Sequence, residues 1–143
     1  MRSDREGKSV TVDEAISHIP DRSRVYVAQG SGCPFGLLEE IDKRRDRFEH
    51  LEFVSAFLIQ RPAPVDHLGQ PFRWLTLQPT GAIRDVLDHP DLGIVPGRYS
   101  DLDGICAPEG PLAADVVVCQ VSPPNAKGDC SLGTGVGGHV SLL

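Results

Sequence analysis

Two glycine-bearing segments carry the residues best suited to chemistry: Gln29-Gly-Ser-Gly-Cys-Pro-Phe-Gly36 and Ser122-Pro-Pro-Asn-Ala-Lys-Gly-Asp-Cys-Ser-Leu-Gly133. In the first, Gly30, Gly32 and Gly36 let the backbone turn sharply or admit a ligand closely. Gly30, Ser31, Gly32 and Cys33 feed a helical stretch, whose first N–H groups and dipole favour negative charge. A thioester develops such charge on its carbonyl oxygen as a tetrahedral intermediate forms, and backbone donors aimed there are worth ~3 kcal/mol. A tight strand-to-helix connection without a ligand is the alternative. In the second segment Pro123 and Pro124 stiffen the chain, and Gly128 and Gly133 free it. Ser122, Asn125 and Ser131 are its candidate polar contacts, forming one wall of an acyl or thioester pocket; a rigid packing turn is the alternative.

Cys33 stands at a helix start, where a thiol pKa is lowered. It is a candidate nucleophile, assisted by one of the histidines at 18, 50, 67, 89 and 139, none of which is near it in sequence. Cysteines 33, 106, 119 and 130 contain no C-x-x-C, which argues against zinc, and free thiols are expected, with Cys119 a buried filler. Gly133-x-Gly135-x-x-Gly138 matches the dinucleotide pattern formally. The strand before it, the helix after it and the acidic residue about 20 positions on are missing, so that reading is excluded.

These loops need elements to hold them. Thr11-Val-Asp-Glu14 fits a capping box opening a helix to about Ile19, with Val12, Ala15, Ile16 and Ile19 on one apolar face. Arg24–Ala28 reads as a strand, and Leu37 to about Phe48 as a helix with Leu37, Leu38, Ile41 and Phe48 inward and Glu39–Lys43 and Glu40–Arg44 as i,i+4 pairs. Further strands are expected over 51–60, 72–77 and 92–95, with helical turns near 82–88 and 102–106. Val116 to Val121 is a continuous apolar run, read as a strand buried on both faces of a parallel sheet, its carboxyl end leading into the second loop. Strands alternating with helices indicate an α/β fold with a mostly parallel sheet. The sequence divides into a disordered tail over 1–10, a domain over 11–133 and a glycine-rich tail over 134–143, too short for the expected crossover helix. The sheet reads as incomplete, with an open edge that favours a dimer or aggregation.

The chain has 143 residues, with 14 basic and 20 acidic side chains and a formal charge of -6. That balance disfavours a nucleic-acid surface. No apolar run approaches the ~20 residues of a membrane-spanning helix, and the charged start lacks a signal-peptide core, so a cytoplasmic location is expected.

The second segment resembles the Ser-Pro-Pro-Asp-x-His-Gly-Tyr-Cys-Ser-Leu-Gly signature of the acetyl-CoA hydrolase/acyl-CoA transferase family, amino-terminal domain. Ala15-Ile-Ser-His-Ile-Pro20 and the run from Ser23 through Gly30-Ser-Gly-Cys33 to Leu38 extend the resemblance over roughly 12–133. It implies a CoA-transferase-like α/β fold, a coenzyme A thioester as substrate with no permanently bound cofactor, and a small carboxylate as acceptor. By resemblance Gly30, Ser31, Gly32 and Cys33 fall on the family's amino-terminal glycine loop. Ser122, Pro123, Pro124, Gly128, Cys130, Ser131, Leu132 and Gly133 fall on its signature loop. Asn125, Lys127 and Asp129 replace the family's Asp, His and Tyr. In the family a glutamate of the carboxyl-terminal half attacks the thioester. The glutamates here, at 6, 14, 39, 40, 49, 52 and 109, occupy the tail, helix faces or loops, and none is assigned that role. The expectation is a domain that lacks turnover alone, truncated or paired with a second CoA-transferase half, or else a homo-oligomer. A non-catalytic acyl-CoA-binding or subunit-pairing module and a Cys33 thiol hydrolase are the alternatives.

Overall fold

The β-branched and aromatic runs form five strands: β1 Ser23–Val27, β2 Leu51–Phe57, β3 Phe72–Gln78, β4 Leu92–Ile94 and β5 Val116–Val118. They pair in one sheet, all neighbours parallel, in the order β4-β3-β2-β1-β5. A computed structural model describes residues 7–143; residues 1–6, part of the expected disordered tail, lie outside the described residues, and 7–10 form no regular element.

Alternate residues of the central strands supply two cores. On one face Val25, Phe53, Trp74 and Leu92 lie in register, with Phe53 stacked on Trp74 at 5.0 Å. The Trp74 Nε1–H donates to Ser55 Oγ at 3.0 Å, so its buried polar atom is satisfied. Helices α1 Val12–Ser17 and α2 Phe35–Lys43 contribute to this core through Ile16, Leu38 and Ile41, and 3₁₀ turns Ala63–His67 and Gly81–Val86 through Val65 and Ile83. The opposite face carries Tyr26, Val54, Ala56, Leu75 and Leu77. The β4-to-β5 connection crosses it with α3 Leu102–Cys106, which buries Leu102 and Cys106 there.

Where the amino ends of the strands begin, Arg24, Glu52 and Arg73 occupy one cross-strand row. Arg24 Nε lies 2.6 Å from Glu52 Oε1, and Arg73 lies 3.5 Å from its other oxygen. The Arg24 N–H donates to the Asp115 carboxylate at 2.8 Å, which locks the entry of β5 beside β1.

Several expectations are corrected. Val116–Val121 is not a two-sided buried strand: β5 is an edge strand of three residues, with Val116 and Val117 half-buried. It leaves the ladder after Val118, because the Gln120 N–H turns to the Gly32 carbonyl at 2.8 Å. Cys119, just past the strand, is consequently half-buried. The helix expected to reach Phe48 ends at Lys43, and a 3₁₀ turn Arg45–Arg47 carries Phe48 into the core. Lys43 pairs with Glu40 at 2.6 Å in place of Glu39, and the Glu40–Arg44 pair is present. The Thr11 hydroxyl accepts from the Glu14 N–H at 3.2 Å, but the Glu14 carboxylate takes Lys8, so the capping box is half-formed. Val12, at the helix start, is exposed.

Residues 134–143, read as a tail, pack on the body. The 3₁₀ turn Gly138–Ser141 buries His139 fully, and Leu142 joins the second core. The glycines here serve close approach: a Cβ on Gly135 would stand 2.7 Å from Gly32 Cα, and one on Gly138 2.8 Å from a Leu102 methyl.

Candidate functional site

The strand order reverses between β1 and β5. From β1 the chain winds through β2 and β3 to β4, then returns to lay β5 on the other side of β1. The connections leaving β1 and β5 go to opposite faces: β1 leads to α2 on the first core, β5 to the 138–141 turn on the second. A crevice outside the carboxyl ends of two such strands is where open α/β sheets bind ligands.

Gly30 turns the chain out of β1 with φ +59°, and its absent Cβ leaves room for the Phe57 ring at 3.4 Å. Gly30–Gly32 then form a single 3₁₀ turn. Within it the Gly32 N–H donates to the Gln29 carbonyl at 3.1 Å and the Cys33 N–H to the Gly30 carbonyl at 3.3 Å. These two donors are therefore spent inside the turn and are not aimed at a thioester oxygen, as the glycine pattern suggests. Ser31 is the member of this turn that faces outward.

Cys33 belongs to the core rather than the site. Its side chain is buried among the first core's residues, and burial pushes its thiol up to about 12. A thiol held protonated at neutral pH is a poor nucleophile, which weighs against a Cys33 hydrolase. Cys33 lies before the Pro34 N-cap of α2, and its thiol is desolvated in the core.

After β5 the second segment folds back as a narrow hairpin. The Ser122 N–H donates to the Ser131 carbonyl at 2.8 Å, and the Asn125 N–H to the Asp129 carbonyl at 2.9 Å. Asn125 Oδ1 accepts from the N–H groups of Lys127 at 2.8 Å and Asp129 at 3.0 Å, while its Nδ2 donates to the Asp129 carboxylate at 3.2 Å. Asn125 thus organises the hairpin tip and is not among the residues that line the cavity below. An amide at 125 opposite Asp129 avoids the repulsion that two carboxylates would suffer at that spacing.

Ser31 of the first loop and Ser122, Ser131 and Gly133 of the second meet around one cavity of about 370 Å³. Gln120, Val121, Pro123, Leu132, Thr134 and Gly135 complete it; of these the sequence argument singled out only Pro123 and Leu132, as positions on the signature loop. The others carry no such mark, since the glycines at 133, 135, 137 and 138 read equally well as a flexible tail. Ser31 Oγ and Thr134 Oγ1 lie 3.1 Å apart, a hydrogen bond joining the two walls directly above the Gly32–Gly135 contact. Among the described residues, no charged side chain lines this cavity. Pro124, Gly128 and Cys130 line a separate hollow against residues 7–9, and Gly30, Gly32 and Cys33 lie beneath the surface. A larger cavity, about 590 Å³, sits at the amino ends of the strands among Arg22, Arg45, Asp46, Glu49 and His50, away from both loops. Among the described residues, no group of three or more His, Cys, Asp or Glu side chains could hold a metal, and no helix is long and apolar enough to cross a membrane.

Behind the first loop lies a polar cluster. Tyr26 OH donates to Gln29 Oε1 at 2.9 Å, and Gln29 Nε2 donates to Tyr99 OH. Burial holds the Tyr26 phenol well above its ordinary value. His139 packs beside Tyr26 with ring centroids 6.5 Å apart, and neither of its ring nitrogens has a hydrogen-bond partner among the described residues. Burial lowers its pKa.

No family model matches the chain. Over 127 residues, 88% of its length, it is 29% identical to the 4-hydroxybutyrate coenzyme A transferase of Clostridium kluyveri, and the match spans 29% of that protein. The crystal structure of RipA from Yersinia pestis superimposes with a TM-score of 0.78 at 20% identity, covering 93% of this chain and 33% of that one. A mutant of RipA gives 0.79 at the same identity, with 93% and 32% covered. The chain therefore shares the fold of RipA, is similar in sequence to a coenzyme A transferase, and spans about a third of the length of each.

Proposed function

We propose that this chain acts as the amino-terminal domain of an acyl-CoA:carboxylate CoA-transferase or acetyl-CoA hydrolase and forms part of the acyl-CoA cleft. The observation that carries this reading is the meeting of Ser31 with Ser122, Ser131 and Gly133 around one cavity at the reversal of strand order. The similarity to a coenzyme A transferase supports it.

In this mechanism a glutamate outside the 143 residues, on a further domain or a partner chain, attacks the thioester carbonyl and expels CoA thiolate. The thiolate opens the resulting acyl-glutamyl anhydride at its glutamyl carbonyl, giving a glutamyl-CoA thioester and releasing the first carboxylate. A second carboxylate then accepts CoA by the same two steps in reverse, which frees the glutamate, and in a hydrolase water takes its place. The contribution of this chain is to bind and orient the thioester and to wall it from water. Glu52, the most buried glutamate described, is already held by Arg24 and Arg73 at the opposite end of the strands, so it does not compete for the role of nucleophile.

The test is a transfer assay with the purified chain, acetyl-CoA and a small carboxylate such as 4-hydroxybutyrate. The expected result is acyl-CoA binding without CoA transfer, and transfer when a polypeptide carrying the complementary half is added. Turnover by the chain alone would refute the division of labour. Binding that persists while no complementary half restores transfer would favour the non-catalytic acyl-CoA-binding module.

A further inference from the structure

Residues 134–143 are held to the body by few contacts. Thr134 and Gly135 form part of the cavity wall, so that wall stands only while the segment is seated. Its main-chain hydrogen bonds close locally: the Gly135 N–H donates to the Leu132 carbonyl at 2.9 Å, the Val140 N–H to the Gly137 carbonyl at 3.0 Å and the Leu142 N–H to the His139 carbonyl at 3.1 Å. Among the described residues, one hydrogen bond crosses to the body, between the exposed hydroxyls of Ser31 and Thr134. Val136, Val140 and Leu143 are exposed. Seating therefore rests on the Gly32–Gly135 contact and on two side chains: Leu142, which joins the second core, and His139, which is fully buried.

His139 differs from Leu142 in that it titrates near neutral pH. Tyr26 faces it from β1, ring centroids 6.5 Å apart. Helix α3 packs on the 138–141 turn, setting Leu102 and the Asp103 carboxylate against Gly138 and burying Cys106 in the same core. The 3₁₀ turn Tyr99–Asp101 brings the Tyr99 hydroxyl against Gly137, while its Asp101 carboxylate accepts from the Arg98 N–H at 3.0 Å. Neither Asp103 nor any other group among the described residues bonds to a His139 nitrogen. A neutral imidazole in this place leaves one donor and one acceptor unmet. The imidazolium would leave two donors and a whole charge unmet, which is far more costly.

We propose that His139 is a pH-sensitive latch: as the neutral imidazole it seats residues 134–143 on β1 and α3, and on protonation it withdraws and opens the cavity wall at Thr134 and Gly135. The proton comes from solvent and adds to a ring nitrogen; no other covalent bond changes. Because the neutral form is the seated one, seating is full above the released value of about 6.5 and weakens below it, by at most about tenfold per pH unit in the ratio of seated to released chain. The Ser31–Thr134 bond opposes release only weakly, since both exposed hydroxyls exchange it for water. The latch does not depend on what the cavity binds, so it and the acyl-CoA reading stand or fall by separate measurements.

Hydrogen exchange of the whole chain at pH 7.5, 6.5 and 5.5, read by peptide mass spectrometry and corrected for intrinsic amide rates, tests this. Protection over 134–143 falls by up to about tenfold between pH 7.5 and pH 5.5, while protection over 51–57 in β2 holds. His139→Phe, which fills the same place without titrating, makes protection over 134–143 independent of pH. His139→Gln carries the same expectation and serves where the larger ring disturbs the packing. Wild-type protection over 134–143 that is unchanged across this range, an equal loss over 51–57, or the same acid-dependent loss in a folded variant overturns the latch.

Discussion

Gly135→Ala should unlatch the segment that closes the cavity, and the size of its effect follows from the backbone. The added methyl would stand 2.7 Å from Gly32 Cα, 2.8 Å from Gly32 N and 3.2 Å from the Leu132 carbonyl oxygen. Carbon atoms pack at about 3.5–4.0 Å, so the methyl intrudes by roughly 1 Å. Every atom it meets is main chain, with no flexible side chain to swing aside. The φ of Gly135 lies outside the left-handed region, so alanine carries no conformational penalty and the clash alone is measured. Overpacking of this kind costs about 1–3 kcal/mol. For a chain of this size that lowers Tm by roughly 3–10 °C. Gly36→Ala is the matched control: its methyl meets nothing within 4 Å on the first turn of α2, and the replacement should gain up to ~1 kcal/mol. Urea and thermal unfolding of the two variants should move in opposite directions. A Gly135→Ala protein as stable as wild type would show that the 134–143 segment does not dock on Gly32.

Three other outcomes follow from the same structure. His139 is buried with neither nitrogen partnered among the described residues and its pKa lowered, so its neutral form is the one that packs. Its contribution is full above the unfolded value near 6.5 and is lost as pH falls below that value, by no more than about 1.4 kcal/mol per pH unit. His139→Phe should therefore flatten the difference between urea midpoints at pH 7.5 and pH 5.5; an unchanged slope would assign that sensitivity to other groups. Native alkylation with iodoacetamide should label exposed Cys130 and spare Cys33 and Cys106, whose thiols burial pushes up to about 12 and about 11; peptide mass spectrometry that finds Cys33 labelled at neutral pH would reinstate it as a reactive thiol. Asn125→Asp sets a second carboxylate against Asp129, so hydrogen exchange at the Lys127 and Asp129 amides should quicken at neutral pH and slow again in acid.

Local patterns were readable where one residue's neighbours decide its fate. The strand at 72–77 and the helical turn at 102–106 emerge from β-branched and aromatic enrichment and from periodicity, and they stand within a residue of their observed bounds. The apolar run 116–121 misled because hydrophobicity records burial without saying which neighbours provide it. Val118 is covered at a sheet edge, while Val121 has already left the sheet and is exposed. Strand order is non-local, and the return of β5 to β1 from the far edge has no signature along the chain. The two loops could be named as ligand candidates from glycine and proline chemistry. Thr134 and Gly135 could not, because glycines that serve backbone contact look in sequence like glycines that serve flexibility.

The two outermost strands, β4 and β5, are each three residues long. Beyond β5 the chain soon meets Pro123 and Pro124, which have no amide hydrogen to donate. A foreign strand laid along either margin would find only a short ladder, each rung worth about 1 kcal/mol net. Short margins of this kind are among the ways β-sheets resist adding strands indefinitely. Self-association through these margins is thereby limited, and a stable neighbour would have to grip side chains as well as backbone.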